Sequence, residues 1–504
     1  MICHATSSWP GSVSRREALR RAGVVALGLS ASSLLAACGA NSGNTSAAAS
    51  TGVATTTASV AVPSTAVTTS SAAPATASSA APKAAAGGKA TVQYWHMWNT
   101  PWKEVIEGQI VPMFNQSSSS VVVQPTLVVS DTKGSPEEKV ITSIAGGTPP
   151  DIMTEWNKVL PTWADKGVIT ALETLLTPAD QAPFKEWFWP IAYQIGQYQG
   201  HQYGAPSTMN SWALVWNMQL FQQAGLDPEQ GPKDLQTLDS FAEKLFKQGS
   251  DNNYTQIGFM PGDLWQFSDV FGGDFYDDTT QKITINGDKN LSALNWIVGY
   301  DKRYPAAQLA NLNKINGASS AGKIWSQLTN TIGMSVDGQW RVIDAARDVA
   351  KGFSYGVVPL PFPPGGRSSA SWINGNYQVI FKEAKQQRPA MDFLKFWSGF
   401  GSPAQMATIC TFGGWIPCSP KVIPEQPFQD YLKKFPAFKV WTDIYQSPNT
   451  RITPVIGIQQ EFSKYVDDAQ NAAKALKAEP QAALANAQQQ AEARMQQYQA
   501  SLKT

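Results

Sequence analysis

The sequence predicts an α/β protein built as two lobes. Two observations lead there: strand-like and helix-like segments alternate from Lys89 onward, and the 504 residues include 43% hydrophobic side chains and 18 tryptophans, enough for a large core. The stretch 89–504 is long for one α/β core, so two bodies fit better than one.

The alternation starts at Lys89–Trp95, a β-rich run of period two, and continues with a helical face of Val105, Ile106, Ile110 and Phe114 that is interrupted late by Pro112. A strand over 120–129, a helix over 136–145 and a strand at Asp151-Ile152-Met153 complete a βαβαβ rhythm. The pattern recurs after Ser211. It gives a strand at 213–216, helices over 235–248 and 291–300, and strands over 331–336 and 355–359. A strand over 378–381 and a helix over 391–400 follow. The last stretch, 461–502, is rich in Ala, Gln and Glu and reads as helix broken at Pro480.

What precedes Lys89 has a different character. Arg15, Arg16, Arg20 and Arg21 stand before a short, weakly apolar segment, Ala22 to Ala37, the layout of an export signal over 1–37 and too short for a spanning helix. Ser14-Arg15-Arg16-Glu17-Ala18-Leu19 resembles a twin-arginine signal, and Leu35-Ala36-Ala37-Cys38 resembles a lipobox, which would make Cys38 the lipid anchor. Residues 38–88 then read as a lipidated cysteine followed by a disordered Ala/Ser/Thr tether, with Lys83 its only charge.

Composition removes several classes of function. A net charge of +1 and no long basic run argue against nucleic acid. The three histidines and four cysteines are scattered, so no metal site or cofactor is expected. Gly352-Phe353-Ser354-Tyr355-Gly356 matches the serine-hydrolase elbow, but a strand follows it and no histidine comes after His201.

The body carries an ordered series of short signatures. They are Tyr94-Trp95-His96, then 145–152 (AGGTPPDI), 200–206 (GHQYGAP), 214–217 (LVWN), 220–226 (LFQQAGL), 333–340 (GMSVDGQW) and 357–361 (VVPLP). In this order they closely resemble the extracellular solute-binding proteins of ABC importers, in particular the sugar-binding, family 1 type. The resemblance implies a periplasmic-binding-protein fold with a ligand cleft between discontinuous α/β lobes. Lobe one is expected at 89–205 plus 373–425, and lobe two at 206–372 plus 426–504. It further implies a monomer, exported and lipid-anchored, that takes a carbohydrate or polyol to a membrane permease.

A sugar presents C–H faces and a rim of hydroxyls, so aromatic side chains beside carboxylates and amides at strand ends are the candidate ligand-binding residues. These are Trp98, Glu155, Trp156, Trp265, Asp337, Trp340, Trp372, Asn374 and Trp415. Trp95, Trp187, Trp189, Trp216, Trp296, Trp325 and Trp397 read as core. Cys410 and Cys418 flank a glycine turn, and in an exported protein a disulfide is expected, the alternative being two buried thiols. Two other functions compete with sugar uptake. One is a cell-surface carbohydrate-active hydrolase that would use two facing carboxylates such as Glu155 and Asp337. The other is a binding protein for an anionic solute such as a glycerol phosphodiester, with Arg341 and Arg367 as the cations.

Overall fold

The computed structural model describes residues 88–128, 136–249, 253–305, 308–309, 312, 331–348 and 354–503. These fall in one compact unit, Lys83–Thr504. The signal, Cys38 and most of the tether lie outside the described residues.

Two sheets organise the fold. The first takes β1 (Ala90–His96), β2 (Val121–Leu127), β3 (Ile152–Trp156) and β4 (Ala205–Asn210). The second takes β5 (Trp212–Asn217), β6 (Lys247–Gln248), β7 (Tyr254–Met260), β8 (Ile332–Gly338) and β9 (Tyr355–Val358). The chain then returns to the first sheet with β10 (Trp372–Ile380) and β11 (Arg451–Ile452). Strand order is β11-β10-β3-β1-β2, with β4 also paired to β10, in the first sheet, and β9-β5-β8-β7-β6 in the second.

Pairing follows side-chain pattern. Val92, Tyr94 and His96 are buried on one face of β1 while Thr91 and Gln93 face outward, and β1 runs parallel to β2 and β3. Helical turns at Trp102–Val105, Ile106–Ile110 and Val111–Ser117 run on without a break. Pro112 has no N–H to give, and the wider π turn just before it makes room for its ring. β10 is antiparallel to both β3 and β4, with a register shift between Asn376 and Tyr377. At Gly375 an added Cβ would lie 2.6 Å from the Thr208 carbonyl oxygen, so only glycine lets β4 approach this closely.

Each sheet has its own hydrophobic cluster, one around Tyr94, Phe393 and Trp397, the other around Phe259, Phe267 and Phe462. The expectation placed 426–445 with the second lobe. Instead, the helices Gln426–Lys434 and Phe438–Tyr445 put Phe428, Tyr431, Phe438 and Trp441 into the first cluster, the former helix lying against Pro403–Gly413. Trp187, Trp216 and Trp397 are buried, while Trp95, Trp189 and Trp296 are partly buried against the clusters; Trp325 lies outside the described residues.

Between the sheets the chain has little slack. Ser211 alone separates β4 from β5, and Ser371 immediately precedes β10. Both serines are fully buried. The Trp212 N–H donates to Ser371 Oγ at 3.0 Å, Ser211 Oγ donates to the Trp441 carbonyl at 2.9 Å, and the Arg451 N–H donates to the Ser371 carbonyl at 3.0 Å. A further tie joins the last helix, Pro480–Ser501, to an early one, Leu160–Asp165, where the phenols of Tyr198 and Tyr498 share a hydrogen bond and Tyr198 also donates to Asp165.

Gly258 in β7 faces the helix Leu235–Leu245, and an added Cβ would sit 1.9 Å from the Ala242 carbonyl oxygen. Gly258→Ala should therefore lower stability by about 1–3 kcal/mol or prevent folding. Gly299, exposed inside the helix Asp288–Arg303 with nothing near its Cβ position, should gain about 0.5–1 kcal/mol as alanine. Urea midpoints of the two variants check this; equal shifts would refute the packing argument.

Candidate functional site

The site forms where the first strand of the return, β10, meets the ends of strands from both sheets. β10 begins Trp372-Ile373-Asn374-Gly375-Asn376, which places Trp372 and Asn374 on one face two residues apart. Asn374 Oδ1 accepts from Asn210 Nδ2 at 3.1 Å, and Asn376 Oδ1 accepts from Thr208 Oγ at 2.8 Å. These bonds hold the amides in place across the β4–β10 ladder. Trp156, at the end of β3, stands opposite Asn376 in register.

From the second sheet, β7 runs into the helix Leu264–Phe271, whose start is fixed when Gln266 Oε1 accepts the Asp263 N–H at 2.7 Å. That helix delivers Asp263 and Trp265. The helix Gln459–Lys474 adds Ser463 and Asp467, and the segment that follows β11 adds Thr453. Together with Lys158 these groups enclose a cavity of about 270 Å³ lined by Trp156, Trp265, Trp372 and Asn374.

The indoles are held by their own N–H groups. Trp265 Nε1 donates to Asp467 Oδ1 at 2.9 Å, and Trp372 Nε1 donates to Thr453 Oγ at 3.0 Å. Their rings stack with centroids 5.6 Å apart and planes 24° from parallel. Trp372 stacks in turn on Trp212, at 6.4 Å and 6°, and Trp212 meets Trp340 edge-on at 5.1 Å. Four indoles thus form one row. Burial raises the Asp467 carboxyl above the usual carboxylate range, against the pull of its bond from Trp265.

Of the residues expected to bind ligand, the structure gathers Trp156, Trp265, Trp372 and Asn374 around this cavity and connects Trp340 through the indole row. Asp337 lies beside Trp340 at the end of β8, where its Oδ1 accepts from Arg341 Nε and the Gly338 N–H, both at 3.0 Å. Glu155 is buried, and its Oε1 accepts the Trp156 N–H at 2.8 Å. Trp98 and Trp415 stand elsewhere, packed with Trp397 at ring distances of 6.0–6.1 Å; Trp415 is buried in the first cluster. Trp212, Thr453 and Asp467 were not expected. Nothing in the immediate sequence around Trp212 marks it, whereas Asp263-Leu264-Trp265-Gln266 is a legible capping box that would have located its helix.

The expected disulfide is corrected. Cys410 and Cys418 are both buried and both free. Cys410 sits in the helix Pro403–Gly413, while the Cys418 thiol points to the Ser398 carbonyl at 3.9 Å. Burial pushes both thiols up, Cys418 to about 12, so neither forms thiolate at neutral pH. Among the described residues, no group of three or more His, Cys, Asp or Glu is arranged to hold a metal ion.

An aromatic and amide cavity between two sheets is the arrangement of a two-lobed binding protein, and residues 126–437 match the bacterial extracellular solute-binding protein family. The chain belongs to that family. Members of this solute-binding family are binding proteins that work outside the cytoplasm. A structure of CpMnBP1 with mannobiose bound is 27% identical, covering 80% of this chain and 99% of that one, with a TM-score of 0.68. The fold is therefore the two-lobed periplasmic-binding-protein fold. A maltotriose-binding protein of Pyrococcus abyssi is 20% identical over 235 residues, 46% of this chain and 47% of that one. The sn-glycerol-3-phosphate-binding periplasmic protein UgpB of Escherichia coli is 23% identical over 379 residues, 71% of this chain and 81% of that one. The first curated relatives are thus matched over only about half of their length.

Alkylation of the untreated solute-binding protein followed by peptide mapping should find Cys410 and Cys418 unmodified in the folded state and both modified after denaturation without reductant. A linked Cys410–Cys418 peptide would overturn the free-thiol assignment.

Proposed function

We propose that this solute-binding protein is the substrate-binding component of an ABC importer, acting as a monomer that captures a carbohydrate or polyol and delivers it to the permease. The observation that carries this reading is the stacked pair Trp265–Trp372, whose N–H groups are already bound to Asp467 and Thr453. Rings fixed this way offer a rigid apolar surface for sugar C–H groups, while Asn374, Asp263 and Lys158 supply hydrogen-bonding partners for hydroxyls. The mannobiose in CpMnBP1 and the maltotriose named for the Pyrococcus relative support the same class of solute. Walls come from both sheets, so a solute held by both favours the closed arrangement over the open one.

In this reading lobe one is 89–205 plus 373–425, extended by the helices to Tyr445, and lobe two is 206–372 plus the remainder of the chain. Arg15-Arg16 directs export and Cys38 carries the lipid. An anionic solute is the competing reading, favoured by Lys158 in the cavity and by the glycerol phosphate of UgpB. Against it, Asp263 and Asp467 share that wall.

Titration with mannobiose, maltotriose and glycerol 3-phosphate, followed by tryptophan fluorescence and by chromatography of the sugar, separates the readings. Saturable change with intact sugar is expected, and Trp372→Ala should weaken binding about tenfold or more, the loss of one aromatic wall of the cavity and of the ring that Trp265 packs on. Released monosaccharide would make the protein a hydrolase, and a response to glycerol 3-phosphate alone would make the solute an anion. For the anchor, Cys38→Ala should move the exported protein from the membrane to the soluble fraction; continued membrane partitioning would refute lipidation at Cys38.

A further inference from the structure

Trp265 and Trp372 do not end the site. Both also line a second cavity of about 770 Å³, within the size range of small-molecule sites. Its lining differs in charge from the first. Asp269, Asp274, Asp277 and Asp278 face it against Arg451, and the adjacent Asp288 and Lys289 offset one another.

The two arginines nearby are already committed. Arg451 Nε donates to Asp274 Oδ1 at 2.9 Å and its Nη1 to the Thr450 carbonyl at 2.9 Å, while Arg367 Nη2 donates to Asp274 Oδ2 at 2.6 Å. Asp277 is satisfied by the Thr279 and Thr280 N–H groups and the Thr280 hydroxyl. Two carboxylates remain. Asp269 is only 4% exposed, lies on the cavity wall, and its Oδ2 has no hydrogen-bond partner among the described residues. Asp278 is exposed, yet partial desolvation by the surrounding wall, together with the like charges of Asp277 and Asp274, raises its carboxyl. Burial also raises Asp269, against the pull of Arg451 and Arg367.

A buried carboxylate oxygen without a donor is unfavourable, and a surplus of negative charge beside aromatic rings is the environment that an ammonium group relieves. Phe275 and Tyr276 complete the aromatic side of the wall. A hydroxyl would bring one donor and no charge; a protonated amine brings three donors and the missing positive charge.

We infer that the solute extends past the Trp265–Trp372 pair and places the protonated amine of an amino-sugar unit among Asp269, Asp278 and the aromatic wall, so that the captured sugar is a cationic oligosaccharide. This rests on the carbohydrate reading above.

Calorimetric titration of the full chain with chitobiose carrying free amines, with its diacetylated counterpart, and with mannobiose tests it. The free-amine disaccharide should bind about tenfold more tightly than the acetylated one at pH 6 and low salt, the effect of one charged contact. Asp278→Asn, at an exposed position, should reduce that ratio to near one without moving the thermal midpoint; Asp269→Asn should do the same if it folds. Equal affinity for the amine and acetylated forms, or a preference that survives Asp278→Asn, would overturn this inference and leave the carbohydrate reading intact. Failure of all three sugars to bind would overturn both.

Discussion

The single residue between β4 and β5 is the constraint on which the rest depends. With only Ser211 between them, the last residue of one sheet and the first of the other cannot be far apart, and β10 must begin beside both. Ser371 completes the joint by accepting the Trp212 N–H, and Gln339 fastens it from β8 by donating to the Met209 carbonyl at 3.1 Å and Asn210 Oδ1 at 2.9 Å. Because these partners are buried, an unmade bond there would leave polar groups unsatisfied, so the joint tolerates little variation. The placement of the indole row follows. Trp212 and Trp372 stack because the strands that carry them start side by side.

Much of the fold was legible because its elements obey their own periods. The helix Pro136–Ala145 and the strand β1 appear where spacing of apolar residues placed them, and Pro480 marks the start of the final helix because proline suits its first turn. Where the reading fell short, packing overrode local preference. Sequence located only 378–381 as strand, since Asn374-Gly375-Asn376 has the composition of a turn. Those residues are nevertheless extended, because β3 and β4 pair with β10 on both sides and Gly375 permits the close approach. That the aromatic helices at 426–445 join the first cluster was not legible for a related reason: adjacency in sequence to the final helices says nothing about which cluster their faces meet.

The candidate site was legible in part, for a chemical reason. Trp156, Trp265, Trp372 and Asn374 stand near the ends of strands or helices beside polar residues, and that local pattern is visible in one dimension. Trp98 and Trp415 show the same pattern, yet both pack on Trp397, Trp98 from the edge of the first cluster and Trp415 within it. No local feature separates a ring that faces a cavity from one that faces a neighbouring ring. Trp212, Thr453 and Asp467 depend wholly on long-range placement: Asp467 matters because Trp265, 202 residues earlier, reaches it.

The bond between Tyr198 and Tyr498 joins positions 300 residues apart and ties the final helix to the helix Leu160–Asp165. Those helices belong to different clusters, Leu160 and Trp163 to the first and Leu484 and Ala487 to the second. The phenol pair is therefore a tie between the clusters made by side chains alone. Two hydroxyl groups can break and remake it, whereas the covalent path through Ser211 is permanent.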